Sequence, residues 1–317
     1  MKGVDPVAFQ APTETYKGAI REATFDGVKV GGETAFPFHT FEGEMPNDPV
    51  IGFEVWDIAP DDWSEELNGV YADVYGDPIA WCRKAVDEFG AQLIYLRLKS
   101  ADPNGENRPV KEAAAKAKEV IDAVDVPFVV AGTGDLDVDS ELLKEVAEAA
   151  GERKVILANA EEDNYRQVGA ASMGFKHGVV AFSPIDVNLA KQLNVLLGQL
   201  GVEDQNIIMD PTTGALGYGL EYSYTVFERD RLAALAQNDP KMQYPIIATI
   251  GQEAWKAKET KVEESELPGT GDRKTRGLMW ESLTAISLLL AGANILVLRH
   301  PEAAELVRKA VTSLKGE

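Results

Sequence analysis

Asn206-Ile-Ile-Met-Asp-Pro-Thr-Thr-Gly-Ala-Leu-Gly-Tyr-Gly-Leu-Glu-Tyr-Ser-Tyr224 is the stretch on which the reading of this chain turns. Ile207, Ile208 and Met209 make a short apolar run that stops at Asp210-Pro211, and a polar loop with Thr212, Thr213, Gly214, Gly217 and Gly219 follows. A buried strand that ends in Asp-Pro-Thr-Thr-Gly delivers a carboxylate, two hydroxyls and open backbone to one rim of a sheet. In parallel α/β folds ligands sit on that rim, at the carboxyl ends of the strands. Closely spaced glycines let the backbone approach a flat or bulky partner, because no Cβ stands in the way. A plain tight turn after a strand could be written the same way, but strand-end loops are where function concentrates.

The same unit repeats on either side of this stretch. Upstream, short apolar runs over 50–57, 92–98, 127–132, 154–159 and 178–183 read as strands, and downstream so do 244–250 and 293–298. Helical patterns separate them over 77–90, 110–124, 139–151, 164–173, 186–200, 221–238 and 273–291, with a last helix over 301–314. Asp77-Pro78 is a strong helix opening, since Asp caps exposed N–H groups and Pro suits the first turn. Strand then helix, eight times, with strands apolar on both faces, is the pattern of a closed parallel (β/α)8 TIM barrel. A doubly wound open sheet is the alternative, but no Gly-x-Gly-x-x-Gly follows the first strand. The charged segment 253–272 interrupts the rhythm and reads as a solvated insertion or lid.

Residues 49–317 are therefore expected to form the barrel, and residues 1–48 an N-terminal arm and β-hairpin cover. Within that cover, Asp26-Gly27 between Ala19–Phe25 and Val28–Val30 suits a type I′ hairpin turn.

Charge and cysteine content exclude several functions. The chain of 317 residues carries 52 Asp and Glu against 31 Lys and Arg, a net charge of −21. Nucleic acid would need a basic face, and an anionic membrane surface would repel this one. The single cysteine, Cys82, forms no internal disulfide and supplies no iron–sulfur site, so it is expected to be a packing residue. No signal peptide and no membrane-length apolar run is visible, which points to the cytoplasm.

On a barrel, the strand ends make a ring: Asp57, Lys99, Gly132-Thr133-Gly134-Asp135, Asn159, Ser183, Asp210 with Thr212 and Thr213, Thr249 with Gly251 and Gln252, and Arg299-His300. Of three histidines only His300 reaches this rim, too few for a metal centre. His300 is a general-base or helix-capping candidate, Lys99 a Schiff-base or solvated lysine, and Asp57 with Asp210 an acid–base pair or turn devices. Hydroxyls, amides and glycines outnumber titratable groups, so the ring suits holding a polar, planar ligand better than proton chemistry. No catalytic residue is assigned.

The chain also resembles the small subunit of the corrinoid iron–sulfur protein, the delta subunit of the carbon monoxide dehydrogenase/acetyl-CoA synthase system. Val50-Ile-Gly-Phe-Glu-Val-Trp-Asp57, Asp87-Glu-Phe-Gly-Ala-Gln92, Val130-Ala-Gly-Thr-Gly134, Leu157-Ala-Asn-Ala160, Ile208 through Gly219 and Arg276-Gly-Leu-Met-Trp-Glu281 carry the resemblance. It implies a barrel like that of pterin-binding methyltransferases, in a heterodimer with a large subunit that holds the iron–sulfur cluster and a corrinoid domain. The corrinoid (a cobamide) would lie between that domain and this rim. The complex would carry methyl groups from methyltetrahydrofolate, through a methyltetrahydrofolate:corrinoid methyltransferase, to acetyl-CoA synthase in the Wood–Ljungdahl pathway. No cluster belongs to this chain on that reading. The contacts expected from rim position are Asp57, Gly132, Thr133, Asn159, Ser183, Asp210, Thr212, Thr213, Gly214, Ala215, Leu216 and Gly217. The alternative is a pterin-binding methyltransferase acting on methyltetrahydrofolate, with Asp57, Asn159 and Asp210 on the pterin ring.

Overall fold

The computed structural model describes residues 12–316. A hairpin of β1 (Ala23–Phe25) and β2 (Val28–Val30) comes first, turning at Asp26 and Gly27, both with positive φ, as a type I′ turn requires. The barrel strands follow: β3 (Val50–Trp56), β4 (Leu93–Arg97), β5 (Phe128–Ala131), β6 (Ile156–Ala160), β7 (Gly178–Phe182), β8 (Ile207–Asp210), β9 (Ile247–Thr249) and β10 (Ile295–Leu298). All eight pair in parallel in the order β8-β7-β6-β5-β4-β3-β10-β9. A parallel bridge between Met209 and Ile246 brings the two outer strands together and closes the ring.

The helices are α1 (Glu65–Tyr71), α2 (Pro78–Asp87), α3 (Val110–Ile121), α4 (Leu136–Ala150), α5 (Tyr165–Phe175), α6 (Val187–Leu200), α7 (Leu220–Leu235), α8 (Ile250–Ala254), α9 (Arg273–Ala291) and α10 (Pro301–Lys315). Asp77 caps α2 by accepting from the Ile79 and Ala80 N–H groups, with Pro78 in the first turn. The helix expected to open at Asp139 instead opens at Leu136, because Asp135 accepts from the Asp137 and Val138 N–H groups and becomes the cap. Helices α1 and α8 were not anticipated. They are short and sit in rim loops, where no long periodic pattern announces them.

Alternation along each strand splits the apolar residues into two cores. Phe53, Val55, Ile94, Leu96, Val130 and Leu157 face outward into a layer shared with the helices. Val50, Leu93, Tyr95, Val129, Ile156, Val180, Ile208, Ile247, Ile295 and Val297 fill the interior. The hairpin joins this inner core: Ala23, Phe25 and Val30 pack with it, at the end where the strands begin. A Cβ on Gly178, the first residue of β7, would lie 2.7 Å from the Phe25 ring, so the missing side chain makes room for the hairpin's aromatic. The hairpin thus stops the amino-terminal mouth, and the carboxyl-terminal mouth stays available for ligands.

Segment 253–272 is anchored to α9 from both sides: within it the buried Trp255 donates from Nε1 to Glu281 (2.8 Å). Arg276, buried on α9, donates to the carbonyls of Glu259 (2.7 Å), Gly271 (2.6 Å) and Val262. Among the described residues no helix is long and apolar enough to cross a membrane.

Candidate functional site

At the carboxyl-terminal mouth, apolar filling gives way to charge. Glu54 points inward from the middle of β3 and is 2% exposed. Arg299 donates to it through Nε (2.7 Å) and Nη2 (3.1 Å), Arg97 through Nε (3.1 Å) and the Trp56 indole through Nε1 (2.7 Å). Burial alone would raise the Glu54 carboxyl; Arg299 and then Arg97 outweigh it and hold the group at about 2. Arg97 also donates through Nη2 to Gln252, and the Arg299 guanidinium lies 4.5 Å from the Trp63 ring centroid. Arg97, Arg299 and Gln252 border an open cavity of about 640 Å³, whose wall also includes Trp56, Lys99, Thr133 and Gly134.

The candidates read from strand ends fall into three settings. Asp57 is buried and occupied by Ser100, whose N–H (3.0 Å) and hydroxyl both donate to it. Burial raises its carboxyl despite those bonds. Gly132 and Thr133 wrap the side chain of Asp139: Thr133 donates from N (2.6 Å) and Oγ1 (2.8 Å), Gly134 from N (2.9 Å). A Cβ at Gly132 would stand 2.2 Å from that carboxyl. Asp57, Gly132 and the Thr133 side chain therefore organise loops.

Asn159, Ser183 and Asp210 stand at the ends of three consecutive strands. Asn159 Oδ1 and Ser183 Oγ are buried without a hydrogen-bond partner among the described residues. Burial pushes the Asp210 carboxyl up to about 7; the Thr212 N–H, donating at 2.8 Å, lowers it, and the fields of Glu253 and Glu161 add to the rise. Ser183 and Asp210 are tied by a backbone bond of 3.0 Å from Ser183 N to the Asp210 carbonyl. Buried polar atoms without partners cost free energy and are characteristic of sites awaiting a ligand or water.

The loop after β8 divides its residues between holding itself and facing outward. Thr213 is buried and donates from Oγ1 to the Thr249 carbonyl (2.9 Å), while Thr212, at φ +72, turns its Oγ1 to accept from Gly214 N (3.1 Å). Gly214 and Gly217 are exposed, and Tyr218 is 91% exposed. Ala215 and Leu216 are buried. Leu216 and Gly217 border a separate groove of about 620 Å³, with Met279, Trp280 and Leu283 of α9. The twelve candidates thus do not converge on one cavity.

Two other candidates resolve into structural roles. Lys99 is bonded to Asp102 (2.6 Å) and to the Thr133 carbonyl (3.1 Å). His300 caps α10, accepting from the Glu302 N–H through Nδ1 (3.1 Å), and burial pushes its imidazole down to about 4. Glu54 and Arg97 were missed by reading strand ends alone. The signal for them was a charge inside each near-continuous apolar strand, which a buried parallel sheet tolerates only when the charge is paired.

Parallel β/α barrels with a polar carboxyl-terminal mouth are the class to which this architecture belongs. Dihydropteroate synthase from Xanthomonas albilineans, solved in complex with 7,8-dihydropteroate, superposes with a TM-score of 0.56 at 17% identity, over 86% of this chain and 95% of that one. That likeness concerns the fold. The sequence is more specific: residues 20–312 match the model of the CO dehydrogenase/acetyl-CoA synthase delta subunit, and the chain belongs to that family. The acetyl-CoA decarbonylase/synthase complex subunit delta of Methanothermobacter thermautotrophicus is 36% identical over 95% of this chain and 77% of its own length. Its counterpart in Methanocaldococcus jannaschii is 34% identical over 100% of this chain and 80% of its own length.

Proposed function

We propose that this chain is the barrel subunit of a methyl-carrying complex, and that its carboxyl-terminal mouth covers a corrinoid held by a larger, cluster-bearing subunit. The observation that carries the reading is the family membership combined with a mouth built for contact. Gly214 and Gly217 present bare backbone, Tyr218 stands in solvent, and Asn159 Oδ1 and Ser183 Oγ lack partners among the described residues. A corrin has a flat face and amide arms, so exposed backbone and unpartnered amide and hydroxyl groups fit it. Thr212, Gly214 and Gly217 would meet the face, with Asn159 and Ser183 toward amide arms. The chemistry a corrinoid supplies is carriage of a methyl group on cobalt.

This chain's own part is steric and electrostatic. The Thr213–Thr249 bond fixes the loop's height above the barrel, and the bond from Gly214 N–H to Thr212 Oγ1 fixes where Gly214 stands. Loops held this way exclude water without rearranging on contact. Partners on this reading are the large subunit, the methyltetrahydrofolate:corrinoid methyltransferase and acetyl-CoA synthase, in the cytoplasm.

One observation favours a second reading, a methyltransferase that binds methyltetrahydrofolate itself. Asp210 with its raised carboxyl, Asn159 and Ser183 offer a protonatable acid and neutral polar groups at adjacent strand ends, which suits the amide edge of a pterin ring. Asp57, the other member expected on the ring, is already occupied by Ser100. Calorimetric titration of the isolated chain with methyltetrahydrofolate separates the two. The corrinoid-covering reading expects no tight binding by the chain alone; micromolar binding lost on Asp210→Asn would overturn it in favour of the second.

A further inference from the structure

The charge cluster in the mouth holds more donors than it uses. Two guanidiniums, Arg97 and Arg299, share the one carboxylate of Glu54, which leaves a buried excess of one positive charge. Nε and Nη2 of both arginines are bonded, to Glu54 and, for Arg97 Nη2, to Gln252. Neither Nη1 has an acceptor among the described residues, although both arginines border the 640 Å³ cavity. Their side chains are 16% and 3% exposed, so they are fixed in place and little hydrated.

The acidic residues around the same cavity do not take up these unused donors. Asp102 is paired with Lys99 and Glu106 with Arg108, while Asp61 and Asp62 are exposed at the lip. The lysine on the opposite wall, Lys256, is paired with Glu253. Asp139, behind Thr133, also acts on Arg97, but its carboxylate is taken up by the Thr133 and Gly134 donors, so the unused N–H donors of the cavity belong to the arginine pair. A rigid pair of guanidiniums with unused N–H donors in a half-dry cavity is the arrangement that recognises oxyanions, because planar donors match carboxylate or phosphate oxygens.

We propose that the cavity between Arg97 and Arg299 is an oxyanion-binding site that takes a phosphate- or carboxylate-bearing group, with Glu54 positioning both guanidiniums. The site is separate from the Gly214 loop, and the proposal does not depend on the corrinoid reading. The oxyanion has two possible sources, a free small anion or a phosphodiester carried by a larger ligand.

The test is calorimetric titration of the full chain with inorganic phosphate at constant ionic strength. Three variants accompany it: Arg97→Gln, Arg97→Lys, and Lys116→Gln on the distant surface of α3 as a control for net charge. The wild type and Lys116→Gln are expected to bind alike. Arg97→Gln should weaken binding about tenfold or more, the loss of one charge-assisted donor, and Arg97→Lys should fall between. Arg97→Lys keeps the charge on Glu54, so it carries the test if Arg97→Gln does not fold. Absence of phosphate binding by the wild type, or equal losses in Arg97→Gln and Lys116→Gln, would overturn the proposal. Given binding, competition by cobalamin but not by cobinamide, which lacks the phosphodiester, assigns the oxyanion to a corrinoid's nucleotide arm. Phosphate binding indifferent to both assigns it to a free anion.

Discussion

Two carboxyl groups at the mouth are shifted in opposite directions, and each gives a stability signature of its own. Glu54 is held at about 2 by the field of its two arginines, which outweighs its burial. A depressed carboxyl contributes stability that is present above its unfolded value, and this contribution is lost as pH falls toward about 2. Glu54→Gln would leave two guanidiniums facing each other without a counter-charge. The expected cost at neutral pH is ~3–5 kcal/mol in denaturant titration; a loss below about 1 kcal/mol would mean that the arginines are hydrated rather than dependent on Glu54. Asp210 has the reverse sign. Its carboxyl is raised to about 7 by burial, so its contribution is full below the unfolded value and is lost as pH rises toward about 7. Asp210→Asn keeps an oxygen for the Thr212 N–H but does not ionise. In thermal melts it should match the wild type at about pH 4 and be the more stable protein at about pH 8. A wild type that gains on Asp210→Asn as pH rises would contradict the buried, protonated state.

At the scale of elements, the barrel was legible because each strand is a short apolar run with a helix behind it, and that periodicity follows from burial on both faces. The hairpin was legible from Asp26-Gly27, since few other pairs tolerate two consecutive positive φ values. What the hairpin does was not. Phe25 enters the inner core only because Gly178, more than a hundred residues later, lacks a side chain, and a linear sequence does not display that pairing. Phe25→Ala should therefore cost ~3–5 kcal/mol, as for a core aromatic and not for a peripheral arm. Unfolding by guanidinium measures it, and a cost near zero would show that the barrel closes without its plug. The site was less legible than the fold, for the same reason. Strand ends mark the rim, but whether Asp57 faces a ligand or Ser100 depends on a loop contact across 43 positions. Glu54 and Arg97 become a pair only when β3 and β4 lie side by side, and Arg299 joins them only when β10 closes on β3.

For the whole molecule, the hairpin closes one mouth of the barrel and the other is left with bare glycines, unpartnered polar atoms and a surplus of cationic donors. On the function proposed above, that open mouth is a contact surface for a corrinoid held by a second subunit. Gly214 is the most direct probe of that claim. It is exposed, and an added Cβ would meet only Thr212 Oγ1, at 3.2 Å, so a large side chain projects outward without straining the barrel. The deciding measurement is the visible absorbance of bound corrinoid, per heterodimer, when this chain is co-expressed and purified anaerobically with the cluster-bearing large subunit. The wild-type pair should carry corrinoid near one equivalent, and the Gly214→Trp pair should assemble yet lose most of it, roughly tenfold or more for a blocked contact of this kind. Equal corrinoid content and equal methyl transfer in the two assembled pairs would contradict the account.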